Sequence, residues 1–178
     1  MDFREKTVNK TYLYNGKILN VRKDDIILPD GKPAVRELVE HSGGSAILCE
    51  KDGKILLVKQ FRYPYGEEIY EIPAGKLNDG EDPAETAIRE LEEEGGIRAE
   101  RVEKLFDVYP TPAYTTEIIR IYRAVGIKET AARLDEDEFL SAVWVEKDIL
   151  KQMIARGEIK DGKTLIALLY ALNDKEEK

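Results

Sequence analysis

The apolar positions of the first forty residues recur too irregularly for a helix and too sparsely for a large core. Ile18, Val21, Ile26, Ile27 and Leu28 alternate imperfectly with polar residues between turn signals at Asn15-Gly16 and Asp30-Gly31. This pattern predicts antiparallel β structure over residues 1 to about 42, ending at the junction Gly43-Gly44. SAILCEKDGKILLVKQF then reads as a β-hairpin whose turn is Asp52-Gly53, and EIYEIPAG (Glu68 to Gly75) as a short strand closed by Pro and Gly.

The pattern then changes period. Asp82-Pro83-Ala84-Glu85 supplies an N-cap, a proline at the first helical position and an acid in the first turn. Ala84, Ala87, Ile88 and Leu91 follow at helical spacing, and Gly95-Gly96 stops the run. Strand-like runs come next around Val102 to Val108 and Ile118 to Val125. A polar loop from Lys128 to Glu138 leads into FLSAVWV, and two helical segments are expected near 146–155 and 163–173. The division expected is an N-terminal β segment, 1–42, and a larger domain, 43–178.

Composition narrows the function. A net charge of -8 argues against a nucleic-acid partner, which would draw on clustered Lys and Arg. A phosphate-bearing small molecule stays admissible if a cation stands between it and the protein. Cys49 is the only cysteine and His41 the only histidine, which removes a disulfide framework and a Cys-rich zinc site. The N-terminus has no apolar leader, and Thr164 to Leu172 is far short of the roughly 20 residues that span a bilayer. A cytoplasmic protein with no membrane partner is expected.

The helix end carries the chemistry. Glu90, Glu92, Glu93 and Glu94 crowd a last turn where the helix dipole favours cations. Same-face pairs among them repel by roughly 0.2–0.5 kcal/mol each. Arg89 relieves part of this, with Glu85 and Glu93 each four residues away. A bound hard cation, which takes oxygen ligands, would relieve the rest. Glutamates alone read more simply as a solvated acidic face, which is what charge runs usually are. Spacing decides between these readings.

GKLNDGEDPAETAIRELEEEGGI places Gly75, Glu81, Arg89, Glu90, Leu91, Glu93, Glu94, Gly96 and Ile97 in the pattern Gly-x5-Glu-x7-Arg-Glu-U-x-Glu-Glu-x-Gly-U, where U is aliphatic. All nine defined positions match the Nudix box, so the chain resembles the Nudix hydrolases. VRELVEHSGG, LLVKQFRYP, EIPAGKL, YPTPAYTTE and LDEDEFL extend the resemblance to bacterial ADP-ribose pyrophosphatases.

That resemblance implies an α/β/α sandwich (α+β class) with a mixed sheet, plus a small N-terminal antiparallel β domain. It implies Mg²⁺, replaceable by Mn²⁺, held by Glu90 and Glu94. Glu93 assists, the Ala74 carbonyl is a candidate ligand, and Glu138 approaches a metal. Arg89 orients the glutamates, and Glu136 serves as base or positions the water. Arg36 and Arg62 are candidates for gripping the diphosphate or distal ribose. Glu37 and Glu71 are candidate pocket residues, and Pro112 marks the subfamily's substrate loop. The usual Ser-Pro-Gly there is Thr111-Pro112-Ala113 in this chain, which loses a glycine's backbone freedom. Surface ion pairing is the plainer explanation for Arg36 and Glu37, and simple loop polarity for residues 135–138.

The N-terminal segment is implied to cross to a second subunit, giving a homodimer. The expected reaction is hydrolysis of ADP-ribose to AMP and ribose 5-phosphate. Two alternatives stay open at this point: another nucleoside diphosphate sugar such as GDP-mannose, and a non-catalytic sensor of ADP-ribose.

Overall fold

The structure is a computed structural model and describes residues 2–78, 80–134 and 139–174. Its contacts divide the chain into two compact units: Met1–Gly43 with Tyr109–Ile118, and Gly44–Val108 with Ile119–Lys178.

The first unit is a three-stranded antiparallel sheet of β1 (Lys6–Asn15), β2 (Leu19–Ile27) and β3 (Pro33–His41), in that order. On β2 the alternate residues Arg22, Asp24 and Ile26 are buried, as a pleated strand with one covered face requires. Arg22 pairs with Asp24 at 2.9 Å and also with Glu40, so the buried charges are compensated. Residues 109–118 belong with this sheet. Val39 N–H donates to the Tyr114 carbonyl at 2.7 Å, and Thr116 N–H donates back to the Val39 carbonyl at 3.0 Å.

The second unit is built around β4 (Gly44–Leu48), which is buried along its full length. Its side chains alternate between two cores. Ala46 and Leu48 pack in one, and Ile47 packs with Cys49 in the other. That double burial explains the continuous apolar run SAILC. After β5 (Glu50–Lys51) and β6 (Lys54–Arg62), β7 (Glu67–Glu71) and β8 (Ala74–Lys76) bring the chain to helix α1 (Pro83–Gly95). Next come β9 (Ile97–Val108), β10 (Ile119–Glu129) and β11 (Leu140–Glu146), followed by α2 (Lys147–Ala155) and α3 (Gly162–Asn173).

One sheet runs β8-β4-β10-β9 and is mixed, because β10 pairs with β4 in parallel and with β9 antiparallel. The other runs β11-β6-β5, with β7 also on β6. The first core receives Leu150 and Met153 of α2 and Ala167, Leu168 and Ala171 of α3. The second receives Ala87 and Leu91 of α1. Helices therefore cover opposite faces of the strands, the sandwich that the sequence resemblance implied.

β9 and β10 are longer than their apolar runs suggested. They pair from Ile119↔Val108 out to Glu129↔Ile97, so residues 97–101, given no element by the sequence pattern, are strand, as are Lys128 and Glu129, which were expected in the polar loop. No helix among the described residues is long and apolar enough to cross a membrane.

Candidate active site

The acidic helix is fixed at both ends by the residues that the sequence marked. Asp82 caps α1, its carboxylate accepting from Ala84 N at 2.8 Å and Glu85 N at 3.3 Å. Gly96 ends it in the left-handed conformation (φ 62°), its N–H donating to the Glu92 carbonyl at 3.1 Å. Within this frame Leu91 is fully buried, while Glu90 and Glu94 are nearly so, at 7% and 3% exposure. Two buried carboxylates four residues apart on a helix are not a solvated surface. They demand compensation.

Part of that compensation is visible. Arg89 reaches Glu93 at 2.7 Å, Glu90 at 2.9 Å and Glu81 at 2.9 Å. Glu81 thus takes the partnership that spacing alone offered to Glu85. Hydrogen bonding to Arg89 is the main reason the Glu81 carboxyl titrates low, at about 2. The Arg89 guanidinium is correspondingly stabilised as a cation. Glu94 accepts from Ala74 N–H at 2.9 Å, which ties the helix to β8.

Gly75, which closes the EIYEIPAG run, is there for space and not for a left-handed turn. Its φ is not positive, but a β-carbon there would fall 1.7 Å from Glu90 Oε1. The glycine makes room for a carboxylate.

A second charged group lies on β6 and β7. Arg62 donates through Nε and Nη2 to the two oxygens of Glu71, at 2.6 and 2.8 Å. Glu71 is 2% exposed, and Lys163 approaches the same carboxylate at 2.5 Å. Burial raises the Glu71 pKa, but Arg62 and Lys163 more than offset this, leaving it below the ordinary carboxylate value. Arg62 stays 39% exposed, and Glu94 is among the negative charges acting on it. The structure therefore brings together Arg89, Glu90, Glu93, Glu94 and Ala74. It also joins Arg62 to Glu71, which is a buried anchor rather than an open acid.

The remaining sequence-predicted residues lie elsewhere. Arg36 and the exposed Glu37 are on β3 in the other unit, where Arg36 pairs with Glu5 through two hydrogen bonds, one of 3.0 Å. Pro112 sits in a turn of that unit in which Thr115 N–H donates to the Thr111 carbonyl at 3.2 Å. Ala113 is not left-handed, since Asp52 is the one non-glycine with positive φ among the described residues. The missing glycine thus costs this turn nothing. Glu136 and Glu138 lie outside the described residues. The loop before them is strapped to α1, with Thr130 N–H on the Gly96 carbonyl at 2.7 Å and Arg133 N–H on the Glu93 carbonyl at 2.9 Å.

Sequence reasoning missed Lys163 and the role of Glu81. The one signal at Lys163 was weak: a lysine in the first turn of a helix opposes the dipole, but that names no partner.

The donor set suits a hard divalent cation. Among the described residues no three acidic, His or Cys side chains form a ready-made cage. Mg²⁺ does not require one, since it is commonly held by one or two carboxylates together with water and substrate phosphates. Buried Glu90 and Glu94, with backbone beside them, fit that mode of binding.

Comparison with known proteins decides the family. The NUDIX domain family matches residues 39–168, well over half of the chain. The chain belongs to the NUDIX family. A nucleoside diphosphate sugar hydrolase N-terminal domain matches residues 5–39.

This Nudix hydrolase is 43% identical over 171 residues to the methanol dehydrogenase activator of Bacillus methanolicus, covering 94% of this chain and 92% of the relative. It is 41% identical over 169 residues to the ADP-ribose pyrophosphatase of Bacillus subtilis (strain 168), covering 93% and 91%. The GDP-mannose pyrophosphatase of Yersinia enterocolitica is 36% identical over 148 residues, covering 77% of each chain. A solved structure described as an ADP compounds hydrolase superposes with a TM-score of 0.83 at 19% identity, over 96% of this chain and 94% of that one. Nudix hydrolases generally need a divalent metal.

Proposed function

We propose that this Nudix hydrolase cleaves the diphosphate of ADP-ribose with Mg²⁺, or Mn²⁺ in its place, giving AMP and ribose 5-phosphate. The observation that carries the reading is the buried pair Glu90 and Glu94, with the half-exposed cation Arg62 near enough to feel the charge of Glu94. The relative from Bacillus subtilis, alike over almost the full length of both chains, supports the choice of substrate.

Glu90 and Glu94, with the Ala74 carbonyl and Glu138, hold the ion, whose chemistry is to acidify water and neutralise phosphate charge. Arg89 and Glu93 keep the two ligating glutamates in place. Glu136 takes the proton of the attacking water, and with one histidine in the chain a carboxylate base is the natural choice. Arg62 contacts the diphosphate, where a guanidinium matches phosphate oxygens. Glu71 orders the pocket from behind Arg62.

Residues 43–178 serve as the hydrolase domain and 1–42 as a dimerisation segment that offers Arg36 and Glu37 to a second copy's substrate, with Pro112 on the substrate loop. β1 is exposed at all ten positions, including Val8, Tyr12, Leu13 and Tyr14, an apolar display that calls for a partner. Light scattering is expected to give the mass of two chains. A single-chain mass would overturn this part. A cytoplasmic setting completes the proposal.

The second reading is a nucleoside diphosphate hexose substrate, favoured by the GDP-mannose pyrophosphatase relative. Specificity constants on ADP-ribose, GDP-mannose and NADH separate the two. ADP-ribose is expected to lead, and a preference of about tenfold for either competitor, about 1.4 kcal/mol in transition-state binding, would reverse the assignment. Release of AMP excludes a purely sensory role.

A further inference from the structure

We propose that Lys163 is a positioning residue for hydrolysis, acting through Glu71 to hold the Arg62 guanidinium at the diphosphate. This rests on the role given above to Arg62.

Glu71 shares its two oxygens between Arg62, at 2.6 and 2.8 Å, and Lys163, at 2.5 Å. Lys163 is 9% exposed, and its ammonium also lies 3.1 Å from Asp161 Oδ2. Four charges of alternating sign therefore form a row through the buried Glu71: Arg62, Glu71, Lys163 and Asp161. They sum to zero. Among the described residues, every hydrogen bond of the Arg62 guanidinium goes to Glu71.

The far end of this row is rigid. Asp161 caps α3, accepting from Thr164 N at 2.9 Å and from Thr164 Oγ1 at 2.6 Å. Thr164 is fully buried, and its hydroxyl oxygen accepts from Ile72 N at 2.8 Å. Glu71 and Ile72 are thus both registered by the first turn of α3. The chain then continues directly into Ala74, which meets Glu94, and Gly75, which makes room for Glu90. The first turn of α3 sets the arm that presents Arg62 and backs the acidic helix.

Charge balance explains why a lysine is placed against the dipole of its own helix. Without Lys163, Glu71 and Asp161 would face one cation, and Arg62 would be drawn toward the interior to compensate both. With Lys163 in place, Arg62 needs to serve one carboxylate with one edge, and its remaining N–H groups are left for a phosphate oxygen.

The test is a double-mutant cycle on the intact chain, with Arg62→Ala, Lys163→Met and the double variant assayed on the nucleoside diphosphate compound that the wild type cleaves best. Arg62→Ala is expected to lower kcat/KM about 100-fold, and Lys163→Met about tenfold. The double variant should match Arg62→Ala alone, because neighbours in one network are not additive. Lys163→Arg should recover most of the loss.

Losses that multiply, to about 1000-fold in the double variant, would overturn the proposal, as would a Lys163→Met enzyme with wild-type kcat/KM. If Lys163→Met does not fold, Lys163→Gln is used in the same cycle and read in the same way. A wild type that prefers another substrate to ADP-ribose would correct the proposed substrate and leave this test standing.

Discussion

Gly75 and Glu90 occupy space that a side chain and a carboxylate cannot share: a β-carbon at residue 75 would lie 1.7 Å from Glu90 Oε1 and 2.1 Å from its carboxyl carbon. The first glycine of the motif and its first helical glutamate are thus a steric pair. Gly75→Ala should push Glu90 off its position and cost about 1–3 kcal/mol of stability through overpacking. Turnover should fall together with Mg²⁺ affinity. Thermal melts with and without Mg²⁺ check this, and a variant with unchanged melting and metal binding would refute the pairing.

Glu81 gives the fold an acid limit. Its carboxyl titrates at about 2 instead of the ordinary 4.5, chiefly through its hydrogen bonds to Arg89. A lowered native pKa means that the unfolded chain takes up the proton first. The stabilisation is therefore complete above about pH 4.5 and drains away as pH falls toward 2. Glu81→Gln should lose on the order of 1 kcal/mol at neutral pH, and the gap from wild type should close in acid. Denaturant unfolding of both proteins at pH 7 and pH 3, with metal chelated, measures it. An equal gap at both pH values would contradict the sign.

Cys49 should be chemically silent in the native protein. Burial, with a smaller contribution from Glu50, pushes its thiol up to about 12. The thiolate fraction at pH 8 is then on the order of 10⁻⁴. A disulfide reagent should fail to modify the native chain over hours and should label it at once in denaturant. Rapid native labelling would show that the buried strand β4 opens readily.

The legible parts of this molecule were those set by neighbours in sequence. Helix α1 announced both ends, because Asp82 followed by Pro83 and then Gly96 are local devices. The run SAILC read as one arm of a hairpin with KILLVKQF, but β4 pairs with β8 and β10, and only the short β5 closes a hairpin with β6. The start of β9 was harder to read. Ile97 and Ala99 are buried and Arg98 and Glu100 exposed, but two apolar residues among charges are a weak signal. The partner that makes them strand, β10, pairs Ile97 with Glu129, far along the chain.

The site divides in the same way. Glu90, Glu93 and Glu94 were visible from spacing alone, and Arg62 and Glu71 from resemblance. That Glu71 is a buried anchor could not be read, because Lys163 lies 92 residues away and joins it only through the fold. The true reason for Gly75 was hidden for the same cause. Its obstacle is a side chain on another element, not its own backbone.

The most direct test of the whole account is the turnover number of Glu94→Gln on ADP-ribose at saturating Mg²⁺. The substitution keeps the shape of the side chain and can still accept the Ala74 N–H, but it removes the charge offered to the cation. Turnover is expected to fall at least about 100-fold with the fold intact, in line with about 2.7 kcal/mol or more of lost transition-state stabilisation. Wild-type turnover in that variant would contradict the claim that this glutamate holds a divalent ion for catalysis.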